Sequence, residues 1–327
     1  MSDGSKIEWT DATWNPLVGC TKVSPGCDHC YAEGVVNRFA GTSKAFPATF
    51  DVVTMRGDRT LEQPLRWARP RRVFVNSLSD LFHADVPDAF IARVFAVMAA
   101  APQHKFQLLT KRHGRMRSLL NRDDFVPQVL EALHDLDAPS GSYPWPLPNV
   151  WLGVSVEDQK HADLRIPALL ATPAAVRWIS AEPLLGPITF RWAKWAPVRG
   201  ADHLDGLRAL DWVVVGGESG ARARPMHPTW PAQVRDECEQ ADVPFLFKQW
   251  GSWAPGSRLG RVEAMVAWDG ETVQPPSALW TAPAAYDADL NCMRWATVHR
   301  ARDKAEAGRE LGGRTHDGYP ATDLAAT

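Results

Sequence analysis

Val150-Trp151-Leu152-Gly153-Val154-Ser155-Val156-Glu157-Asp158 is an apolar run that stops abruptly in polar residues. The residues behind it, 158–170, carry a helical pattern. A short apolar run with a polar stop reads as a buried strand, and a longer periodic segment after it reads as a covering helix. The same unit recurs on both sides. Strand-like runs fall at residues 73–76, 105–109, 150–156, 175–180, 212–216 and 244–247. Helical patterns fall at 88–101, opened by Pro87 and closed before Pro102, at 124–136, at 158–170, and from Thr229 to Ala241 with Pro231 in its first turn. Strands alternating with helices imply a parallel sheet. Six such units in series predict an α/β fold, a partial (β/α)6-type TIM-like barrel with a C-terminal extension. The barrel is expected over residues 1–251. The extension, 252–327, holds a hairpin around Asp269-Gly270 and a helical stretch at 303–311.

The chain is 327 residues long, enough for such a barrel and an appendage. Its 36 Lys and Arg against 38 Asp and Glu give a net charge of −2, which excludes a strong global field for DNA or anionic membranes. The longest apolar candidate for a span, 90–101, is short and contains Arg93, so no membrane segment is expected. Met1 to Thr10 has no apolar signal region, and a cytoplasmic protein is expected. The 15 Trp are expected to fill core and pocket walls, with some free to stack on flat substrates.

Parallel α/β folds build their sites at the carboxyl ends of strands. Here those ends carry Ser77 and Asp80, Lys111 and Arg112, Ser155 and Glu157, Glu182, Gly216, Gly217 and Glu218, and Lys248. Ahead of the series lies Gly19-Cys20-Thr21-Lys22-Val23-Ser24-Pro25-Gly26-Cys27-Asp28-His29-Cys30-Tyr31, a C-x6-C-x2-C loop. Three thiolates on one short loop suit a soft metal centre, and Pro25-Gly26 supplies the turn that returns Cys20 toward Cys27. Three ligands leave one iron of a 4Fe–4S cluster open for a substrate or cofactor. A structural zinc closed by a distant His or by Cys238 is the alternative, and unligated thiols the other.

The cysteine loop followed by β/α units resembles the radical S-adenosylmethionine (radical SAM) enzymes. The usual spacing there is C-x3-C-x2-C, and the first gap here is longer. Leu108 to Lys111, Val154 to Glu157 and Ala181 to Gly186 follow, in order, the strand-end pattern of the spore photoproduct lyase-like branch, over roughly Asn15 to Gly251. A narrower resemblance is to a phage-associated family, through Trp14–Cys20, Ser77–His83, Gly153–Glu157, Gly216–Gly220, Phe247–Gly251 and the tail Gly312–Pro320. The tail departs from that family's pattern at Gly312 and His316.

The resemblance implies that Cys20, Cys27 and Cys30 ligate a 4Fe–4S cluster, with S-adenosylmethionine on the fourth iron. It places His29 beside the adenine, and Ser77 and Asp80 at the ammonium group. Lys111 or Arg112 then falls to the carboxylate, Ser155 and Glu157 to the ribose, and Gly216 and Gly217 to the adenine. Glu182, Glu218 and Lys248 are the candidates for managing protons. A reductase or flavodoxin-type electron donor is implied. Basic runs at Arg66, Arg69, Arg71 and Arg72, at Lys111 to Arg117, and at Arg222 and Arg224 are compatible with a nucleic acid or nucleotide substrate. The competing function is a zinc-stabilised accessory protein that binds nucleic acid or a protein partner without catalysis.

Overall fold

Seven strands form one sheet in a computed structural model that describes residues 4–5, 7–42, 46–138, 141–195, 202–256, 263–273, 286–287, 292–293 and 295–321. They are β1 (Ala12–Trp14), β2 (Arg72–Val75), β3 (Lys105–Thr110), β4 (Val150–Ser155), β5 (Val176–Ala181), β6 (Trp212–Gly216) and β7 (Phe245–Gln249), and their order in the sheet follows the chain. The pairings β1–β2, β2–β3, β3–β4 and β6–β7 are parallel. This is the α/β, partial-barrel class that the alternating pattern predicts. The six expected strands are all present. β1 is the addition, because three residues are too few for alternation to register.

The chain divides into two compact units. One comprises residues 1–155, 165–178 and 320–327, the other 156–164 and 179–319. β5 passes from the first into the second.

In the first unit the longer helices are α1 (Tyr31–Phe39), α2 (Asp88–Ala99), α3 (His113–Leu120) and α4 (Phe125–Asp135). α2 starts immediately after Pro87, which has no N–H to waste in the first turn. Its Phe95 meets Phe125 of α4 edge to face, centroids 5.5 Å apart. Trp14, Trp151, Trp178 and Phe106 are fully buried around the strands. Each such side chain contributes roughly 2–3 kcal/mol of burial. Gly153 makes room for one of them: a Cβ there would lie 2.5 Å from the Trp178 ring.

In the second unit α5 (Gln159–Leu170) begins, and α6 (Thr229–Ala241) covers β6 and β7. Here tryptophans do double duty, burying a ring and tying down a loop through the indole N–H. Trp212 donates to the Gly318 carbonyl at 2.7 Å, Trp230 to Trp268 at 2.8 Å and Trp253 to Ala223 at 2.7 Å. Trp192, by contrast, is 71% exposed. The tail runs antiparallel along β7, with Phe247 donating to His316 and Gly318 to Phe245. It thereby covers an edge that would otherwise invite pairing. Trp253–Pro255, Trp295–Arg300, Ala264–Ala267 and Thr272–Val273 form a separate antiparallel sheet containing the expected hairpin. The helical stretch expected at 303–311 is one turn, Lys304–Ala307. No helix among the described residues is long and apolar enough to cross a membrane.

Candidate functional site

The cysteine loop is fastened in the first unit at both ends. Leu17–Val18 pairs antiparallel with Thr54–Met55 just before it. Gly19 then donates to the Leu78 carbonyl at 3.1 Å, and Cys20 donates to the Phe50 carbonyl at 2.7 Å. Gly19 has φ +97°, and a Cβ there would sit 2.2 Å from the Val52 carbonyl oxygen, so only glycine fits. Pro25–Cys27 forms one 3-10 turn, closed by the Cys27 N–H on Ser24. Cys30 is the N-cap of α1. Cys20 and Cys30 pack against Val18, Ala32, Val36 and Phe50.

All three cysteines are free and half-buried. Burial pushes the Cys20 thiol up to about 12, and the nearby Asp80 charge adds to it, while Arg112 pulls the other way. Binding a metal has to displace that proton. Among the described residues no three His, Cys, Asp or Glu side chains are gathered tightly enough to hold one ion. A 4Fe–4S cluster asks for a different arrangement, one thiolate per iron around a cubane. Three free thiols on one fastened loop are a donor set of that chemistry.

Asp80 lies beside this loop and has a structural task. It is buried, and its carboxylate accepts from the Thr110 hydroxyl at 2.7 Å, the Lys111 N–H at 3.0 Å and the Phe82 N–H at 3.0 Å. It clasps the end of β3 to the turn after β2. The bond to Phe82 is the local turn that a short acidic side chain favours. Ser77 exchanges hydrogen bonds with Asn15 at 3.1 and 3.2 Å, and its carbonyl accepts from the Tyr31 hydroxyl. His29 is half-buried on the turn between Cys27 and Cys30. Ser77, Asp80, Lys111, His29 and the three cysteines therefore share one end of the first unit's strands. Ser155 is buried at the end of β4 and accepts from Arg165 through its carbonyl at 2.7 Å.

Several residues of this end carry no signal in the sequence. Asn76 closes β2 with φ +60°, is 4% exposed, and neither atom of its amide has a partner. A buried unsatisfied amide costs about 1–3 kcal/mol and marks a place kept for something else. His83 is buried and its Nε2 lies 2.8 Å from the Thr21 hydroxyl, while its Nδ1 accepts from the Asp85 N–H. Burial and the Arg112 charge hold its pKa below the usual histidine value. Asn15 and His83 stand inside the segments quoted above, but their partners lie some sixty residues away, and spacing does not reveal such pairs.

The second unit carries its own polar cluster. Lys248 and Glu182 form an ion pair at 2.7 Å, with side chains 13% and 18% exposed. Gln249 donates to Ser219 at 3.0 Å, while its own buried Oε1 has no partner. Gly216 faces the Glu182 carboxylate, where a Cβ would lie 3.2 Å away. A Cβ on Gly217 would meet the Trp250 carbonyl at 2.0 Å, so the close approach that this glycine permits is to the chain's own backbone. Glu218 is bound on both oxygens by Arg224, at 2.6 and 3.0 Å. Glu157 is fully buried, 3.7 Å from His161 Nδ1, which also contacts Asp158 at 2.7 Å.

The basic runs are largely engaged within the chain. Arg72 pairs with Asp11 at 3.1 Å, and Arg71 stacks on Trp67. Arg115 bonds Asp88 at 2.6 Å and holds that carboxyl below the usual range. Arg222 is exposed.

The fold and the thiol loop together define an α/β protein of partial-barrel type with a cysteine loop at its strand ends. The chain belongs to the family described as "Protein of unknown function (DUF5131)", matched over residues 4–320. No curated protein matches it. Two solved structures are similar, each 12% identical. One is spore photoproduct lyase complexed with dinucleoside spore photoproduct, covering 61% of this chain and 54% of that one, TM-score 0.31. The other is a cysteine-to-serine mutant of spore photoproduct lyase, covering 74% and 64%, TM-score 0.36. The chain thus spans less than two thirds of the length of either.

Proposed function

We propose that this chain is a radical SAM enzyme in which Cys20, Cys27 and Cys30 hold a 4Fe–4S cluster with S-adenosylmethionine beside it. The observation that carries the reading is the loop itself: three free, half-buried thiols after the first strand of a parallel sheet, fastened to the turn after the second. Together the cluster and S-adenosylmethionine supply one-electron bond cleavage leading to hydrogen abstraction from a substrate. The chain's residues position and protect. Gly19 and the Cys20–Phe50 bond fix where the first sulfur stands. Asn76 offers two donors and an acceptor that the chain leaves unclaimed, the complement of an amino-acid head group. Lys111 is the cation for a carboxylate. In the second unit, Lys248 is paired with Glu182, and that pair is the candidate for proton chemistry there.

The proposed substrate is a nucleotide or nucleic acid, and the electron source a reductase or flavodoxin-type protein. What supports the substrate class is the exposed Arg117 on α3, in the basic run that follows β3. The test is anaerobic reconstitution with iron and sulfide, then dithionite and S-adenosylmethionine, with 5′-deoxyadenosine as readout. Formation that disappears in Cys20→Ala is expected. An iron-free protein holding one tight zinc overturns the reading.

A further inference from the structure

Arg112 occupies a position that its neighbours over-determine. Its N–H donates to the Thr110 hydroxyl at 2.8 Å, and that hydroxyl donates in turn to Asp80. Its guanidinium crosses to the cysteine loop, where Nη2 donates to the Thr21 carbonyl at 3.1 Å and to the Thr21 hydroxyl at 2.7 Å. The same hydroxyl meets His83 at 2.8 Å. The Cys20 thiol donates to that same Thr21 carbonyl at 3.5 Å, so the sulfur and the guanidinium meet on one oxygen. Its Nε–H is buried and has no acceptor. A buried guanidinium N–H without an acceptor is expensive, and it persists where an anion completes the site.

We propose that Arg112 is a positioning residue for the metal centre: it anchors the Cys20–Thr21 end of the loop and places a fixed positive charge beside the Cys20 sulfur. The inference rests on the cluster reading above and assigns Arg112 a different task from holding a carboxylate of S-adenosylmethionine. Three thiolates give the cluster a net negative charge that grows by one on reduction. A fixed cation beside a ligating sulfur favours the reduced state and raises the potential. Arginine suits the task, since its planar guanidinium grips both Thr21 oxygens and brings a cationic group beside the loop.

The test uses the full-length chain, reconstituted with iron and sulfide, as wild type, Arg112→Gln and Arg112→Lys. Iron and sulfide per chain are measured first, then the midpoint potential by dithionite titration followed by EPR. Arg112→Gln is expected to move the reduction equilibrium about tenfold toward the oxidised cluster, ~59 mV more negative for one electron. Arg112→Lys keeps the charge and is expected to stay near wild type. A loaded Arg112→Gln protein with an unshifted potential overturns the assignment. If Arg112→Gln fails to load, Arg112→Lys decides: a near-wild-type potential supports the assignment, and a full shift with the charge retained overturns it. A wild type that takes up no cluster removes the cluster reading itself. A loaded wild type with an indifferent Arg112 removes only this inference.

Discussion

Asp80→Ala removes a carboxylate that accepts three hydrogen bonds, from Thr110 at 2.7 Å and from the Lys111 and Phe82 amides at 3.0 Å. Asp80 is only 7% exposed, so water does not replace the lost acceptor. Bonds to a charged acceptor contribute about 1.5 kcal/mol each at the low end of their range, which puts the loss near 4–5 kcal/mol. With a urea slope of about 3 kcal/mol per molar, the unfolding midpoint falls by about 1.5 M. Tryptophan fluorescence is the assay, since Trp14 and Trp151 are fully buried in the same unit. Asp80→Asn, which keeps one acceptor and sets an NH2 against one of the donors, is expected to lose about half as much. The two readings of this residue separate cleanly here. A carboxylate reserved for a ligand ammonium costs the ligand-free protein little or nothing when removed. A midpoint shift below about 0.3 M would refute the clasp and return Asp80 to the ligand.

Other perturbations test other parts of the account. Gly19→Ala forces φ +97° on a residue with a Cβ 2.2 Å from the Val52 carbonyl. A loss of about 2 kcal/mol in thermal unfolding, with reduced iron uptake, is expected. Lys248→Met leaves Glu182 unpaired at 18% exposure and should cost about 2 kcal/mol. A double-mutant cycle with Glu182→Gln should recover about 1 kcal/mol of coupling, and additive losses would show the pair to be idle. His104 is fully buried, with its Nε2 on the Pro64 carbonyl at 3.1 Å. Burial, against the opposing pull of that carbonyl, holds its pKa below the usual value. The unfolded chain therefore takes up the proton first, and stability is lost as pH falls below about 6.5. His104→Phe, which keeps the ring contacts to Trp67 and Phe106, should flatten the pH dependence of the urea midpoint in that range.

The parallel sheet was legible because each strand announces itself by an apolar run with a polar stop, as Val150 to Glu157 does. The boundaries moved where the chain bends. Asn76, read as strand, ends it with φ +60°, and Lys248 and Gln249, read as loop, belong to β7. The thiol loop was legible because its three cysteines are local. The Asp80–Thr110–Arg112–Thr21 chain was not, since its members span 91 residues and meet only after β2 and β3 pair. Its parts nevertheless sat in view as strand-end polar residues. The tryptophan count pointed to packing, but it gave no hint that the indole N–H of Trp212 fastens the tail. Glu218, a candidate for proton chemistry on its position alone, proves to be held on both oxygens by Arg224, a partner six residues on that alternation patterns do not register.

The central claim is that Cys20, Cys27 and Cys30 together hold a cluster. Iron and acid-labile sulfide per chain, measured after anaerobic reconstitution of the wild type and the three single Cys→Ala variants, test it most directly. About four irons and four sulfides in the wild type, falling sharply in each of the three variants and unchanged in Cys238→Ala, is the predicted result. One zinc per chain, or iron uptake indifferent to all three substitutions, would contradict it.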